Sequence, residues 1–403
     1  MNWKLIRFID RYVGIPLIYL LHFCRGFQRV QRQSAAPQRV LLIKFWGIGN
    51  IFMLLPTIKA IRSKHPSATI DFLTLKNNYD ALKISDSIQT ITTLDMNSLT
   101  SFITTSLHAL RSLRKNRYDL IIDFEQFSRF SALLTHLVKA PVTTGFKTRE
   151  QHRHFLYTAP VEYNDDIHIT RSFYSLAEFS GLQQGYSREH LIGNHLKLKR
   201  DGKVKLRGKR ITTNQPVVIM HIGTSDNFKE RRWSPLNFAA LTDLLTHNHG
   251  VWVVLTGLPD ESHLIQETLN ALNYPEQVTD LGGKLSFDEY FELVAASDLV
   301  VSADTAAVHI ASALAIPVVG LYGPNTPRLY GPWGENGIAL SARFSCSPCI
   351  TNFNAKINTC RHPSGSGACM MALSVEQVYE AITSNHLLPD SSSDITRDAM
   401  VSP

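Results

Sequence analysis

The sequence predicts an α/β protein of two doubly wound domains of similar size. Two observations carry this. Short apolar runs alternate with segments of helical spacing from residue 39 to residue 124. After a basic, polar, glycine-containing stretch, Arg200 to Gln215, the same alternation restarts at Val217. Strands that alternate with helices form βαβ units on a parallel sheet. Two such Rossmann-like domains facing each other leave a cleft, and ligands bind there at the carboxyl ends of the strands.

The elements follow in order. Residues 1–36 form a basic amphipathic segment that ends in the polar linker Gln31 to Gln38. Residues 37–199 form the first domain. Its expected strands are Arg39 to Lys44, Thr69 to Leu75, Ile88 to Leu94 and Leu120 to Phe124, with helices over Ile51 to Lys64 and Leu107 to Arg114. Residues 200–386 form the second domain. Strands are expected at Val217 to His221, Val251 to Thr256, Leu299 to Ser302 and Val318 to Tyr322. Helices are expected at Pro235 to Thr246, Phe287 to Ala296 and Thr305 to Ala315. Residues 387–403 are polar and read as a disordered tail.

The chain has 403 residues and is 44% hydrophobic, enough to fill sizeable cores. Its net charge is +7, but residues 1–40 supply +6 of it, with Asp10 as their one acid. The basic character therefore belongs to the amino terminus and is not a nucleic-acid-binding surface. The apolar run Tyr12 to Phe23 is too short to span a bilayer, which needs about 20 residues. Asp10 and Arg11 precede the run and no small-x-small site follows it, which argues against a signal peptide. Trp3, Phe8 and Tyr12, interleaved with arginines, fit a helix lying on an anionic membrane surface. The alternative is an amphipathic helix packed on its own domain.

Four motifs carry chemistry. Ser302-Ala303-Asp304-Thr305-Ala306-Ala307-Val308-His309 lies where a strand's carboxyl end meets a helix's amino end. The free N–H groups and positive dipole end of that helix make an anion site. Ala306 and Ala307 allow close backbone approach, Asp304 and His309 are polar handles, and a nucleotide diphosphate fits. His221-Ile222-Gly223-Thr224-Ser225 is a second strand-to-turn, followed by Lys229-Glu230-Arg231-Arg232-Trp233. The hydroxyls of Thr224 and Ser225 and the Arg231 guanidinium suit phosphate oxygens. The charge run is otherwise a solvated face. Lys44-Phe45-Trp46-Gly47-Ile48-Gly49-Asn50 holds two-thirds of a dinucleotide fingerprint, with Phe52 in place of the third glycine. Asp123 and Glu125, at the end of a strand, share one face and can serve as a base, Glu125 first. Otherwise one of them caps the helix starting near Ser128.

The block from Asp304 to Pro324, with Arg231-Arg232-Trp233, resembles the signature of glycosyltransferase family 9, which contains the ADP-heptose:lipopolysaccharide heptosyltransferases. The resemblance spans roughly residues 39 to 385. It implies a GT-B fold and inverting transfer of a sugar from a nucleotide-sugar donor, ADP-heptose, to a lipid-linked saccharide acceptor such as the lipopolysaccharide core. It implies a cytoplasmic enzyme peripheral on the inner membrane. It also implies that Arg231 neutralises the donor diphosphate and that Glu261, in Thr256-Gly257-Leu258-Pro259-Asp260-Glu261, holds the ribose; a plain surface loop is the other reading. Ala306 stands where the family has glycine. Asn50 stands where the family carries the aspartate proposed as base, and an amide cannot take a proton. That shifts the base to Glu125 or Asp123. It also leaves open a nucleotide-sugar-binding homologue impaired in catalysis, and, from the glycine pattern, an oxidoreductase.

No Asp-x-Asp occurs in the chain, so catalysis is expected to need no metal, the leaving charge resting on Arg231 and the Thr305 helix terminus. Cys346, Cys349, Cys360 and Cys369 lie within 24 residues and open with C-x-x-C. They can hold a structural zinc, form a disulfide, or do neither.

Overall fold

A computed structural model describes residues 3–25, 36–182, 204–206, 209–211, 215–224, 226–342, 344–350, 360 and 362–389. The chain divides into two compact units, Met1–His190 and Leu191–Pro403.

The first unit opens with two helices, α1 (Trp3–Tyr12) and α2 (Gly14–Arg25). Then follow β1 (Arg39–Ile43), α3 (Ile48–Lys64), β2 (Thr69–Leu75), α4 (Tyr79–Lys83), β3 (Thr90–Leu94), α5 (Leu99–Lys115) and β4 (Leu120–Asp123). The unit closes with α6 (Arg129–Val138), β5 (Val142–Lys147), β6 (Ala159–Glu162) and α7 (Ile169–Ala177). All six strands pair in parallel in the order β3-β2-β1-β4-β5-β6. Central β1 and β4 are apolar and covered on both faces, as a parallel sheet requires.

The second unit begins with a short antiparallel pair, β7 (Val204–Leu206) and β8 (Lys209–Ile211). It continues with β9 (Val217–His221), α8 (Pro235–His249), β10 (Trp252–Thr256), α9 (Ser262–Asn270), β11 (Val278–Asp280), α10 (Phe287–Ala296), β12 (Leu299–Ala303) and α11 (Ala306–Ala313). It ends with β13 (Val318–Tyr322), α12 (Pro327–Tyr330), β14 (Gly337–Ser341), α13 (Ala368–Met371) and α14 (Val375–Ser384). The order β11-β10-β9-β12-β13-β14 repeats that of the first sheet, again all parallel. Its core joins Val218, Met220, Trp233, Phe238, Leu241, Val253, Val301 and Leu321.

Several elements differ from the sequence expectation. Helix α5 begins at Leu99 because Ser98 caps it, accepting from Ser101 N. Its first turns are rich in threonine, and Thr104 and Thr105 turn their hydroxyls onto the carbonyls of Thr100 and Ser101 at 2.9 and 2.7 Å. Helix α11 starts one residue later than expected, because Thr305 is its cap and accepts from Ala307 N. The linker residues 31–35 and the tail residues 390–403 lie outside the described residues.

One side of the amino-terminal pair packs on its own unit. Ile18 is fully buried against Ala132, Leu156 and Tyr157. Asp10 Oδ1 accepts from Arg129 N and Phe130 N at 3.0 Å each, at the start of α6. Together with Ser128, whose hydroxyl accepts from Ser131 N, Asp10 caps that helix. The cap expected of Asp123 or Glu125 therefore comes from elsewhere.

Candidate active site

In each sheet the chain reverses its winding direction between two central strands, β1 and β4 in the first and β9 and β12 in the second. Loops at the carboxyl ends of such strands diverge and leave a crevice where ligands bind. The turns that hold Asn50, Glu125, Thr224 and Asp304 fall in these loops, and Glu261 follows the neighbouring strand β10.

In the second unit, the loop after β9 carries Thr224, Arg231 and Arg232, and the turn after β12 carries Asp304 and Thr305. Arg231 Nη1 donates to the Asp304 main-chain oxygen at 2.8 Å and lies 3.6 Å from Asp304 Oδ2. Asn325 Nδ2, just beyond the Gly323-Pro324 turn, donates to that same Oδ2 at 2.8 Å. Thr305 Oγ1 is 2.9 Å from Ser302 Oγ, which fixes the cap at the head of α11. Ala306 is half-buried there, and Ala307 and His309 are buried.

Arg232 ties the neighbouring loops together. Its Nη2 donates to the Thr224 carbonyl at 3.0 Å and approaches Glu261 Oε1 at 3.9 Å. Glu261 is no surface-loop residue: it is 2% exposed and accepts from Leu258 N at 2.7 Å. A Cβ on Gly223 would sit 1.7 Å from Glu261 Oε2, so only glycine lets that carboxylate lie across the β9 turn. The Thr224 hydroxyl is buried and finds no hydrogen-bond partner among the described residues. An unmet buried hydroxyl costs about 1–3 kcal/mol. A ligand oxygen at this point would supply the missing partner. His221, at the end of β9, sits 3.0 Å by Nδ1 from Thr256 Oγ1, and desolvation holds its imidazole down at about 4. Ser225 lies outside the described residues. Arg232 was quoted from the sequence only as part of the Arg231-Arg232-Trp233 motif, with no role, and Asn325 was not singled out. The adjacent Arg-Arg pair and the Gly-Pro turn were the signals that could have found them.

In the first unit, Glu125 and the Asn50 turn come together. Glu125 Oε1 accepts from Lys44 Nζ at 2.9 Å, from Phe45 N at 2.6 Å and from Trp46 N at 2.9 Å. Both side chains of the Lys44–Glu125 pair are buried. Asn50 is half-buried and donates by Nδ2 to Trp46 O at 3.3 Å. Its Oδ1 is shielded from solvent and unpartnered. Gly47 makes the turn at φ +86°, and a Cβ there would lie 2.5 Å from Asn50 Nδ2. Asp123 is fully buried and is held by Arg153 Nη2 and the Tyr157 hydroxyl, both at 2.6 Å.

The cysteine-bearing segment braces the loops after β9 and β13. Ser347 Oγ donates to Gly323 O, Ile350 N donates to Pro324 O at 2.8 Å, and Cys360 N donates to Glu230 Oε1 at 3.2 Å. Burial, then Cys346 and Cys360, push the Cys349 thiol up; burial and then Cys349 push Cys369 up to about 11. Among the described residues, no three His, Cys, Asp or Glu side chains are grouped so as to hold a metal ion. The thiols of Cys346, Cys349, Cys360 and Cys369 are near enough to raise one another's titration. All are free thiols.

The sequence profile of glycosyltransferase family 9 (heptosyltransferase) matches residues 107–357. The chain belongs to glycosyltransferase family 9. It is therefore a glycosyltransferase, and the oxidoreductase reading of the Gly47 turn falls. Among relatives, the family 9 chain is 24% identical over 303 residues to lipopolysaccharide heptosyltransferase 3 of Escherichia coli, covering 73% of this chain and 86% of that one. In fold it matches the family 9 glycosyltransferase from Veillonella parvula, with TM-score 0.70 and 18% identity over 89% of this chain and 99% of the other. It also matches E. coli ADP-heptose LPS heptosyltransferase II, with TM-score 0.66 and 21% identity over 87% and 98%. These likenesses establish the GT-B fold.

Proposed function

We propose that this family 9 enzyme moves a heptose from ADP-heptose to a lipid-linked saccharide such as the lipopolysaccharide core, with inversion and without a catalytic metal, at the cytoplasmic face of the inner membrane. The observation that carries the donor assignment is the group of polar atoms at the second switch point. The unpartnered Thr224 hydroxyl, Arg231 and the head of α11 all serve a diphosphate. The name of the E. coli heptosyltransferase II supports ADP-heptose as its form. The name of the E. coli relative supports a lipopolysaccharide acceptor.

In this reading the diphosphate lies against the amino end of α11, where Thr305, Ala306 and Ala307 present main-chain groups to it. Arg231 balances its charge, and Asp304 with Asn325 aims Arg231. His309 completes the pocket from the first turns of α11. Glu261 accepts from the ribose hydroxyls. The acceptor oxygen attacks the anomeric carbon from the face opposite the phosphate. The sugar–phosphate bond breaks, ADP leaves with the bonding pair, and the acceptor's proton passes to a base. Preorganised cationic and N–H groups stabilise the developing phosphate charge.

On the acceptor side the carboxylates are Glu125 and, behind it, Asp123. A second version of this reading is favoured by one observation: three donors already converge on Glu125 Oε1. Glu125 then positions the Phe45–Trp46 turn, and Asn50, whose Oδ1 has no partner among the described residues, orients the acceptor hydroxyl. A third possibility, a donor-binding homologue without turnover, makes a different prediction in the same assay. The full-length protein is incubated with ADP-heptose and deacylated lipopolysaccharide acceptors in the presence of EDTA, and products are read by mass spectrometry. Release of ADP with a heptose added to the acceptor is expected. Donor binding without product on any acceptor would leave the impaired homologue. Loss of activity to EDTA, restored by a divalent ion, would overturn the metal-free reading.

A further inference from the structure

The α1–α2 pair has two different faces. The inner face is fixed to the first unit. Ile18 is buried under α6, the Tyr19 hydroxyl lies 3.0 Å from His152 Nδ1, and His22 Nδ1 lies 3.1 Å from Phe155 O. Asp10 holds both the head of α6 and Arg129 Nη1, the latter at 3.1 Å. The outer face is apolar and uncovered. Phe8 is 57% exposed, Tyr12 59%, Leu20 60% and Phe23 81%, with Ile9, Val13 and Leu17 also exposed. Such a concentration on a docked element is an interaction surface.

We propose that this outer face is the docking surface for an anionic lipid bilayer, with the two helices lying in the plane of the interface. Charge decides the partner. Residues 1–40 supply +6 of the chain's +7, and their single acid is engaged by Arg129 and the start of α6. The segment thus combines, in sequence, apolar and aromatic side chains with a net charge of +6. Arg11 lies by the Tyr12 ring, 5.8 Å from its centroid. Aromatic side chains flanked by Arg and Lys suit the boundary between anionic headgroups and acyl chains. A second copy of the chain would bring two strongly positive segments together, which like-charge repulsion opposes. No helix among the described residues is long and apolar enough to cross a membrane, so the contact is lateral.

The proposal deepens the lipid-linked-acceptor reading, but it can be tested without any saccharide. The full-length protein is floated with vesicles of phosphatidylethanolamine and phosphatidylglycerol, and with vesicles of phosphatidylcholine alone. Binding to the anionic vesicles and little to the neutral ones is expected, weakening as salt rises. In the variant Phe8→Ser/Tyr12→Ser/Leu20→Ser/Phe23→Ser, partition should fall at least tenfold while ADP affinity and the thermal midpoint stay unchanged. As a second measurement, Phe23→Trp should give a blue-shifted emission on adding anionic vesicles. Equal partition of wild type and quadruple variant, with no shift from Phe23→Trp, would overturn the proposal. So would a wild type that ignores vesicles but elutes as a dimer that the same substitutions dissociate. Sugar transfer to a soluble acceptor is scored separately, so loss of that activity with vesicle binding intact would count against the functional reading only.

Discussion

Arg231 grips Asp304 through the main chain as well as the side chain: Nη1 reaches the carbonyl at 2.8 Å and the carboxylate at 3.6 Å. The acid is thus less a ligand contact than a clamp. It sets the guanidinium at the head of α11, where an anion is favoured, and Asn325 holds the carboxylate from the other side.

Asp304→Ala removes that clamp while leaving the backbone contact. Nucleotide affinity should weaken at least tenfold, about 1.4 kcal/mol. Calorimetric titration of the folded variant with ADP checks this; unchanged affinity would show that Arg231 needs no side-chain partner.

Gly223→Ala tests the packing of Glu261. The added methyl would meet Oε2 at 1.7 Å, so the carboxylate must leave its place under Arg232. Overpacking of this kind costs about 1–3 kcal/mol. ADP binding should weaken as Glu261 is displaced. Adding Glu261→Ala should recover most of the stability loss but not the affinity, because the two sites are in contact and couple. Additive stability effects in the urea-unfolding cycle would refute the contact.

His221 makes stability depend on pH in the acidic range. Its folded value, about 4, lies below the 6.5 of an unperturbed imidazole. The unfolded chain therefore binds the proton more readily than the folded one. The contribution is fully present above pH 6.5 and is lost as pH falls toward 4, amounting to about 3 kcal/mol at most. Urea unfolding between pH 7 and pH 4 should show a steeper loss for wild type than for His221→Gln. Parallel curves would place the imidazole in solvent.

Much of the fold was legible because parallel strands buried on both faces are written as short, continuous apolar runs, such as Val318 to Tyr322. The donor turns were legible for a related reason: a small polar residue between strand and helix has few other uses. Strand β5 and the edge strand β6 were not, since Thr143, Thr144 and Pro160 blur their pattern. The site's connections were hidden too. That Glu261 lies over Gly223, or that Arg232 reaches Glu261, depends on contacts between residues 38 and 29 positions apart that no local pattern reports. For the amino-terminal helices the sequence posed membrane and own-domain packing as alternatives. The structure seats one face, through Ile18 and Asp10, and leaves the other uncovered.

The role of Glu125 is the sharpest remaining question, and its two versions differ in what they predict. As the base, Glu125 accepts the acceptor's proton, and Glu125→Gln should cut kcat by about 10² to 10⁴. Donor affinity would change little, and stability would fall in either version, because the substitution removes the charge that faces buried Lys44. The acid limb of the pH–rate profile would vanish with the carboxylate. As a positioning residue, Glu125 matters through the turn it holds. Removing its charge strands Lys44, which is 1% exposed. Breaking a buried pair by deleting one partner costs about 3–5 kcal/mol. In this version the rate lost in Glu125→Gln follows the lost stability, the pH profile of the surviving activity keeps its shape, and Lys44→Met/Glu125→Gln regains much of the stability and part of the rate. In that case Asn50→Ala, which deletes the Oδ1 beside the turn, should be the more damaging change to kcat. A collapse for Asp123→Asn alone cannot be credited to proton transfer without a pH profile, since it also leaves Arg153 buried without its carboxylate. Stability, kcat and pH profile measured together on Glu125→Gln, Asn50→Ala and the double variant therefore separate the two roles.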